Sequence, residues 1–244
     1  MSVVMESWLP RHRFNEDDLE RLYEFGILGP GDRVELIEGQ IVNSKGAMGR
    51  ECGAMDSVPD GWIPFRRFTV LEYYRMWEIG LFAPEARVEL IEGEIIDMAP
   101  IGSPHGGTVD WLNEVLCATL RGHAIVRAQG PIKLSDFSHP EPDIALLERR
   151  RDFYRTAHPG PPETFLIIEV SDSTLRVDQM VKAPLYAHFE VPEMWIVDLV
   201  HERLHVYRAP RDGEYTEVSS IEKPGVTPLS TLPGVSVDLS HLFG

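Results

Sequence analysis

The sequence predicts an α/β fold in which helices pack on one mixed β-sheet. The first observation is a pair of apolar segments that each carry a carboxylate: Thr164–Asp172 contains Glu169, and Pro142–Leu147 contains Asp143. Continuous apolar and β-branched runs are typical of strands covered on both faces. The second observation is the order of the segments, in which helical and strand patterns alternate along the chain, as they do in α/β and mixed α+β sheets.

The N-terminal third of the chain contains an internal repeat. Residues 14–42 match residues 68–96 at an offset of 54, with 13 identities in 29 positions, and Arg33–Gly39 recurs letter for letter as Arg87–Gly93. Each copy predicts a short helix, a turn containing proline and a hairpin that closes at Glu-Gly. Thr69 is the predicted N-cap of the second helix. The sequence therefore predicts a partial duplication rather than a solenoid, since nothing later in the chain repeats.

The remaining segments predict the rest of the sheet and two longer helices. Residues 43–62, rich in Gly, Ser, Met and Pro, predict a loose linker between the copies. Helical spacing of apolar residues predicts one helix over 107–120 and another over 177–188. Strand patterns occur at Ala124–Ala128, Pro131–Leu134, Glu193–Leu199, Leu204–Arg208 and Tyr215–Val218, and the proline-rich tail predicts one short final strand.

Composition favours a water-soluble cytoplasmic protein. Apolar residues make up 43% of the 244 residues and charged residues 25%, no apolar run is long enough to span a membrane, and the first residues lack the features of an export signal. The formal net charge of −16 opposes binding to nucleic acid, because phosphate neutralisation supplies most of the non-specific affinity. Arginines 149, 150, 151 and 155 form a local exception, either as a solvated surface or as a phosphate contact.

The two carboxylates are predicted to meet if their strands pair in antiparallel fashion. The start of the Asp143 strand would then lie beside the end of the Glu169 strand, with both side chains directed into the same space. An ionised carboxylate buried without a cation or a hydrogen-bond donor costs several kcal/mol or stays protonated. A shared cation is one solution, and separate structural hydrogen bonds or ion pairs are the other.

Five short motifs carry a resemblance to a known family. They are Glu89–Glu94, Ser103–His105, Pro142–Asp143, Ile168–Ser171, and Lys182 with Tyr186 ahead of Trp195–Asp198. In this order they resemble the Uma-type family of restriction-endonuclease-like proteins in the PD-(D/E)XK nuclease superfamily. The resemblance covers about residues 68–243 and implies a restriction-endonuclease-like core, with domain bounds of 1–64 for the partial duplicate and linker and 65–244 for the nuclease domain.

The resemblance also implies a chemistry, namely Mg²⁺-dependent hydrolysis of DNA phosphodiester bonds. Asp143, Glu169 and the Val170 carbonyl would bind Mg²⁺, with Mn²⁺ as a substitute, since Mg²⁺ is usually held by one or two carboxylates and water. Bound Mg²⁺ lowers the pKa of water. Glu89 would complete the acidic cluster, and Lys182 would orient the attacking water or stabilise developing negative charge. A homodimer is implied as well.

One residue departs from the simplest superfamily pattern. The lysine that often follows the second acid is replaced by Ser171, and Lys182 fits the alternative position on the next helix. Lys182 and Asp178 lie at i and i+4, a spacing that also suits an ordinary ion pair. Pro184 predicts a kink or a late start of that helix. His105, just before a helix, is a candidate phosphate or metal contact or simply a polar residue at a helix start.

The prediction is therefore a Mg²⁺-dependent endonuclease with Glu89, Asp143, Glu169 and Lys182 as its site. The rival is a catalytically silent acidic binding or assembly module that retains the fold, and a nuclease acting on RNA or in repair is a third reading. Glu35, the counterpart of Glu89, has no second pair of acidic strands and is interpreted as vestigial. Residues 11–45 are expected to pack on the main domain or to imitate the second copy at a subunit contact.

Overall fold

The structure is a computed structural model that describes residues 8–44 and 65–244. The chain divides into two compact units. Among the described residues, the repeat unit comprises residues 10–44, 65–98 and 135–139, and the sheet unit comprises residues 8–9, 99–134 and 140–244. The predicted linker falls mostly on residues 45–64, outside the described residues. The predicted domain boundary at residues 64 and 65 stays a prediction.

In the repeat unit, both copies fold as the sequence predicts, each as a helix followed by a hairpin. The elements are α1 (Glu16–Glu24), β1 (Val34–Ile37), β2 (Gln40–Asn43), α2 (Val70–Glu78), β3 (Val88–Ile91) and β4 (Glu94–Asp97). Thr69 caps α2, as predicted, in a capping box with Glu72, and Asn15 and Asp18 form the same box before α1. Each box satisfies backbone N–H groups that a helix leaves without partners in its first turn.

The sheet unit contains a mixed six-stranded sheet, which confirms the predicted fold class. Its elements are α3 (Ser103–Thr119), β5 (Ile125–Ala128), β6 (Ile144–Leu147), β7 (Thr164–Ser171), α4 (Leu175–Val177), α5 (Ala183–His188), β8 (Glu193–Asp198), β9 (Arg203–Arg211), β10 (Glu214–Ile221), β11 (Val226–Pro228) and β12 (Ser236–Asp238), with a 3-10 turn at Pro161–Glu163. The strand order is β10-β9-β8-β7-β6-β5, and β11 pairs separately with β12. Only the β7–β8 pair is parallel in this sheet.

One face of the sheet is covered by α3. Val109, Leu112 and Leu116 of this helix are buried and belong to the same apolar cluster as Ile144 of β6 and Ile168 of β7. The helix begins four residues before the predicted start. Its first turn contains a proline, which is tolerated there because the N–H that it lacks would have no partner within the helix.

The segment before α5 explains how Pro184 is accommodated. Residues Asp178–Lys182 form a π-turn between α4 and α5, and the N–H of Ala183 donates to the carbonyl of Asp178, five residues earlier. Pro184 then lies in the first turn of α5, where the missing N–H costs little. The helical segment is therefore continuous from Leu175 to His188, and the predicted kink takes the form of a change in hydrogen-bond register.

One predicted strand is wrong. Residues 131–134 are irregular, because their backbone groups bond to separate loops: the N–H of Ile132 donates to Pro140, and the N–H of Lys133 donates to Pro159. A strand needs one continuous neighbour to supply its ladder of hydrogen bonds. In the described parts of the chain, no helix is both long and apolar enough to cross a membrane.

Candidate functional site

The two carboxylates predicted to converge both lie in the sheet unit, on neighbouring segments of its sheet. β6 and β7 pair antiparallel with Ile144 beside Ile168, so Asp143, just before β6, and Glu169 of β7 lie at the same end of this strand pair. Both residues are buried, with exposed fractions of 7% for Asp143 and 3% for Glu169. The antiparallel pairing of the two strands is as predicted, and the convergence of the two side chains stays a prediction.

Asp143 is held through one of its two oxygens. Its Oδ2 accepts a hydrogen bond from the N–H of Val170 at 2.8 Å and lies 3.1 Å from Nε2 of His105. Within residues 8–44 and 65–244, Oδ1 has no hydrogen-bond partner. The other nitrogen of the imidazole, Nδ1 of His105, is also buried without a partner among the described residues. The structure thus leaves two polar atoms of this pair available to a ligand.

Glu169 is held by two side chains from the helical segment that follows β7. The hydroxyl of Tyr186 donates to Oε1 of Glu169 at 2.9 Å, and Nζ of Lys182 lies 3.2 Å from the same oxygen. Lys182 is 5% exposed and Tyr186 is fully buried. The lysine supplies the positive charge that a buried carboxylate requires.

A third acid, Asp178, supports this arrangement from the π-turn. Its Oδ2 accepts hydrogen bonds from the hydroxyl of Ser171 at 2.6 Å and from that of Thr174 at 2.8 Å. Burial raises the pKa of Asp178, and the negative charge of Asp143 acts in the same direction, while Lys182 and the two hydroxyls oppose the rise. Ser171, which the sequence resemblance aligns with a lysine, therefore hydrogen-bonds to Asp178 rather than supplying a charge.

Val170 and Glu89, the remaining predicted site residues, lie in different units. In a strand, the N–H and C=O of one residue point towards the same neighbour, so the Val170 carbonyl is directed to the side of β7 where Asp143 accepts its N–H. Glu89 lies on β3 in the repeat unit and is 3% exposed. The predicted roles of both residues stay predictions.

In the loop that contains arginines 149, 150, 151 and 155, one of the four arginines makes internal contacts. Arg150 forms two hydrogen bonds with Asp152, and its guanidinium lies 4.6 Å from the centre of the Tyr154 ring. The side chains of residues 149, 151 and 155 are exposed. The loop thus presents three arginines to solvent, which leaves both interpretations of the cluster open.

The donor set of the site fits a hard divalent cation. Mg²⁺ is commonly bound by one or two carboxylates together with water, and Asp143 offers Oδ1 for this purpose. Across the described residues, no group of three or more His, Cys, Asp or Glu side chains is arranged to hold a metal ion. The fit is therefore to an ion that keeps several waters, rather than to a closed site made only of protein ligands.

Sequence reasoning missed the contact between Tyr186 and Glu169 and the role of Ser171 as a partner of Asp178. A signal for Tyr186 was present, because it follows Lys182 by four residues and so lies on the same helix face. No comparable signal pointed to Ser171, since its partner is brought close only by the turn after β7.

Comparisons with known proteins agree with this fold. A family model described as "Uma2: Putative restriction endonuclease" matches residues 71–240. Among solved structures, the chain is similar to one titled as a "putative nuclease belonging to DUF820" from Anabaena variabilis, with a TM-score of 0.54, 17% sequence identity, and coverage of 72% of this chain and 97% of that chain. At that identity the structural likeness supports the fold alone. No curated protein matches the sequence.

Proposed function

Because the chain belongs to the Uma2 family of restriction-endonuclease-like proteins, we propose that it is a Mg²⁺-dependent endonuclease that hydrolyses DNA phosphodiester bonds. The observation that carries the proposal is the antiparallel pairing of β6 and β7, which brings the buried Asp143 and Glu169 to the same end of the strand pair, with a lysine beside Glu169. A target sequence and a strand preference are no part of the proposal. The predicted homodimer and the cytoplasmic location are retained as expectations from the family resemblance and the composition.

The ion would be held by Asp143, Glu169 and the carbonyl of Val170, with Glu89 as a further member of the acidic cluster. Bound Mg²⁺ supplies a water of lowered pKa and neutralises charge on the reacting phosphate. His105 and the N–H of Val170 hold Oδ2 of Asp143, which fixes the direction of the other oxygen, Oδ1.

Lys182 and Tyr186 act on the other carboxylate. Tyr186 orients Glu169 through its hydroxyl, and Lys182 places a positive charge in a buried setting, where it stabilises negative charge more strongly than it would in water. The hydrogen bonds that Asp178 accepts from Ser171 and Thr174 anchor the π-turn from which Lys182 projects. Lys182 would thus orient the attacking water or stabilise charge developing on the phosphate.

The test is nicking of supercoiled plasmid DNA with Mg²⁺ or Mn²⁺, measured for single isosteric variants. We expect Asp143→Asn and Glu169→Gln to lower the rate by about 100-fold or more, in the range found for other electrostatic groups in active sites. Asp110→Asn is the matched control, because Asp110 is exposed on α3. Since Glu169→Gln leaves Lys182 without its counter-charge, thermal unfolding of each variant is recorded alongside. Wild-type nicking rates in both site variants would refute the assignment.

Two observations favour a second candidate, a catalytically silent acidic module. Lys182 already places a positive charge beside Glu169 at 3.2 Å, and a net charge of −16 opposes approach to DNA. Calorimetric titration with Mg²⁺ separates the two candidates. The nuclease is expected to show binding that Asp143→Asn weakens, whereas a silent module shows no binding that depends on this carboxylate. Cleavage of RNA, measured with the same variants and the same metal ions, tests the third candidate, a nuclease that acts on RNA.

A further inference from the structure

The two copies of the repeat contact each other through pairs of interactions that are exchanged between them. In the repeat unit, the N–H of His12 donates to the carbonyl of Ile95 at 2.8 Å, and the N–H of Arg66 donates to the carbonyl of Ile41 at 2.8 Å. Adding 54 to the residue numbers converts His12 into Arg66 and Ile41 into Ile95. Each copy therefore gives the other the same hydrogen bond that it receives.

The segments that precede the helices are exchanged in the same way. Arg11 forms an isolated antiparallel bridge with Ile96, and Phe65 forms one with Val42. These four positions also match at the offset of 54. The arm before α1 thus extends the hairpin of the second copy, while the arm before α2 extends the hairpin of the first.

An identical arginine in each copy repeats the exchange at the helix ends. Arg21 donates to the carbonyls of residues 79 and 80 beyond the end of α2, and Arg75 donates to the carbonyls of residues 25 and 26 beyond the end of α1. Carbonyl groups at a helix C-terminus lack partners within the helix and carry partial negative charge. Each arginine therefore satisfies the helix of the other copy rather than its own.

Both copies also contribute to one apolar core. Its buried members are Phe14, Leu22, Ile27, Leu28 and Ile41 from the first copy, and Phe68, Val70, Tyr73, Met76, Phe82, Val88, Leu90 and Ile95 from the second. Neither copy encloses this core by itself, because the cluster is shared across the contact.

Reciprocal contact between equivalent residues is the defining property of a two-fold interface between identical subunits. We propose that residues 11–43 are an intramolecular substitute for a second subunit, seated on a self-association surface formed by residues 65–98. The natural partner of that surface is a second copy of the same element. Within this chain the partner is supplied by duplication, so a homodimer of the whole protein would have to form through another surface.

The sequence of the second copy supports this reading. Many residues that make the exchanged contacts are the same or similar in both copies: arginine at 21 and 75, glycine at 26 and 80, isoleucine at 41 and 95, and a β-branched residue at 42 and 96. Positions 11 and 65 and positions 12 and 66 differ, but their exchanged contacts are made by the backbone. A second copy could therefore receive another second copy by the same hydrogen bonds. In such a pair, Phe65 of one chain would bridge Ile96 of the other.

The first experiment traps the internal contact in the full-length chain by disulfide formation. Arg11→Cys and Ile96→Cys are introduced together, with Cys52 and Cys117 replaced by serine. Opposed residues of an antiparallel bridge have Cα atoms about 4.5–5.5 Å apart, within the range that a disulfide spans. We expect one cross-linked chain on a non-reducing gel. A covalent dimer, or two thiols that stay reduced under oxidation, would overturn the proposal.

The second experiment releases the surface. Leu22→Asp places a charge in the shared core, because Leu22 has no exposed surface, and should therefore detach the first copy from the second. It is combined with Phe65→Cys and Ile96→Cys in the chain whose Cys52 and Cys117 are replaced by serine. We expect a disulfide-linked dimer through residues 65 and 96 of different chains, and no such dimer when position 22 is leucine. Leu71→Asp is the matched control, because Leu71 is 71% exposed, and it should leave the chain unlinked.

Circular dichroism identifies whether the sheet unit of the Leu22→Asp variant is still folded. A folded variant that forms no dimer linked through residues 65 and 96 would overturn the proposal. If the variant does not fold, the first experiment decides alone, since it places no charge in the shared core: an intrachain link supports the proposal, and an interchain link refutes it.

Discussion

The two copies of the heptad Arg-Val-Glu-Leu-Ile-Glu-Gly have one sequence and two environments. In β1 the side chains alternate between half-buried and exposed, whereas all four residues of β3 are buried. Glu35 is accordingly exposed, while its counterpart Glu89 is only 3% exposed. Since the residues are identical, the burial of a strand here is decided by its surroundings rather than by its own pattern.

The difference arises from a short segment that covers only the second hairpin. Residues 135–139 return to the repeat unit from 38 positions beyond β4, and the N–H of His139 donates to the carbonyl of Leu90 at 2.7 Å. The N–H of Gly93 donates to Phe137 at 2.7 Å, and Ser138 contacts Glu92. Among the described residues, no such segment covers β1. A local sequence that suits a half-buried strand therefore also suits a fully buried one.

The largest effect on the free energy of unfolding is expected when the leucine of each heptad, Leu36 or Leu90, is replaced by alanine. Leu90 has no exposed surface, whereas Leu36 is half-buried. Leu90→Ala leaves a cavity and is expected to lower the free energy of unfolding by about 3 kcal/mol, against about 1 kcal/mol for Leu36→Ala. Urea unfolding followed by circular dichroism measures both. Equal losses of unfolding free energy in the two variants would show that the covering of β3 by residues 135–139 contributes little to stability.

The same comparison sharpens the role assigned to Glu89. If Glu89 belongs to the acidic cluster, Glu89→Gln should lower the Mg²⁺-dependent nicking rate by about 30-fold, which corresponds to about 2 kcal/mol of activation free energy. Glu35→Gln, the same change in the exposed copy, should leave the rate unaltered. Plasmid nicking with both variants at equal concentration provides the measurement. A loss of rate in Glu35→Gln as large as that in Glu89→Gln would contradict both assignments.

Much of the candidate site could be predicted from the sequence, because it rests on strand patterns. The apolar runs around Asp143 and Glu169 indicated covered strands, and antiparallel pairing of two consecutive strands is the simplest connection. β7 occupies Thr164–Ser171, close to the predicted bounds. Helix starts were also predictable where a capping residue stood ahead of an apolar periodicity, as at Thr69.

Three features could not be predicted from local sequence patterns. From sequence, Pro184 predicted a kinked or late-starting helix. The structure instead shifts the hydrogen bonds by one residue in a π-turn, and no local sequence feature signals that turn. The covering of β3 by residues 135–139 joins segments more than 40 residues apart. The internal repeat showed that two similar elements exist, but the exchange of arms between them depends on packing that a repeat does not encode.

The smallest expected effect concerns the glycine that closes each hairpin. Gly39 and Gly93 have φ angles of +79° and +83°, and alanine in this region is strained by about 1 kcal/mol. A Cβ added to Gly93 would lie 2.6 Å from Cβ of Arg67, whereas at Gly39 the nearest atom, Cβ of Arg13, is 3.0 Å away. Gly93→Ala should therefore cost about 2 kcal/mol and Gly39→Ala about 1 kcal/mol, measured by urea unfolding. A larger loss for Gly39→Ala would show that the first hairpin is the less adaptable of the two, the reverse of what its more exposed strand indicates.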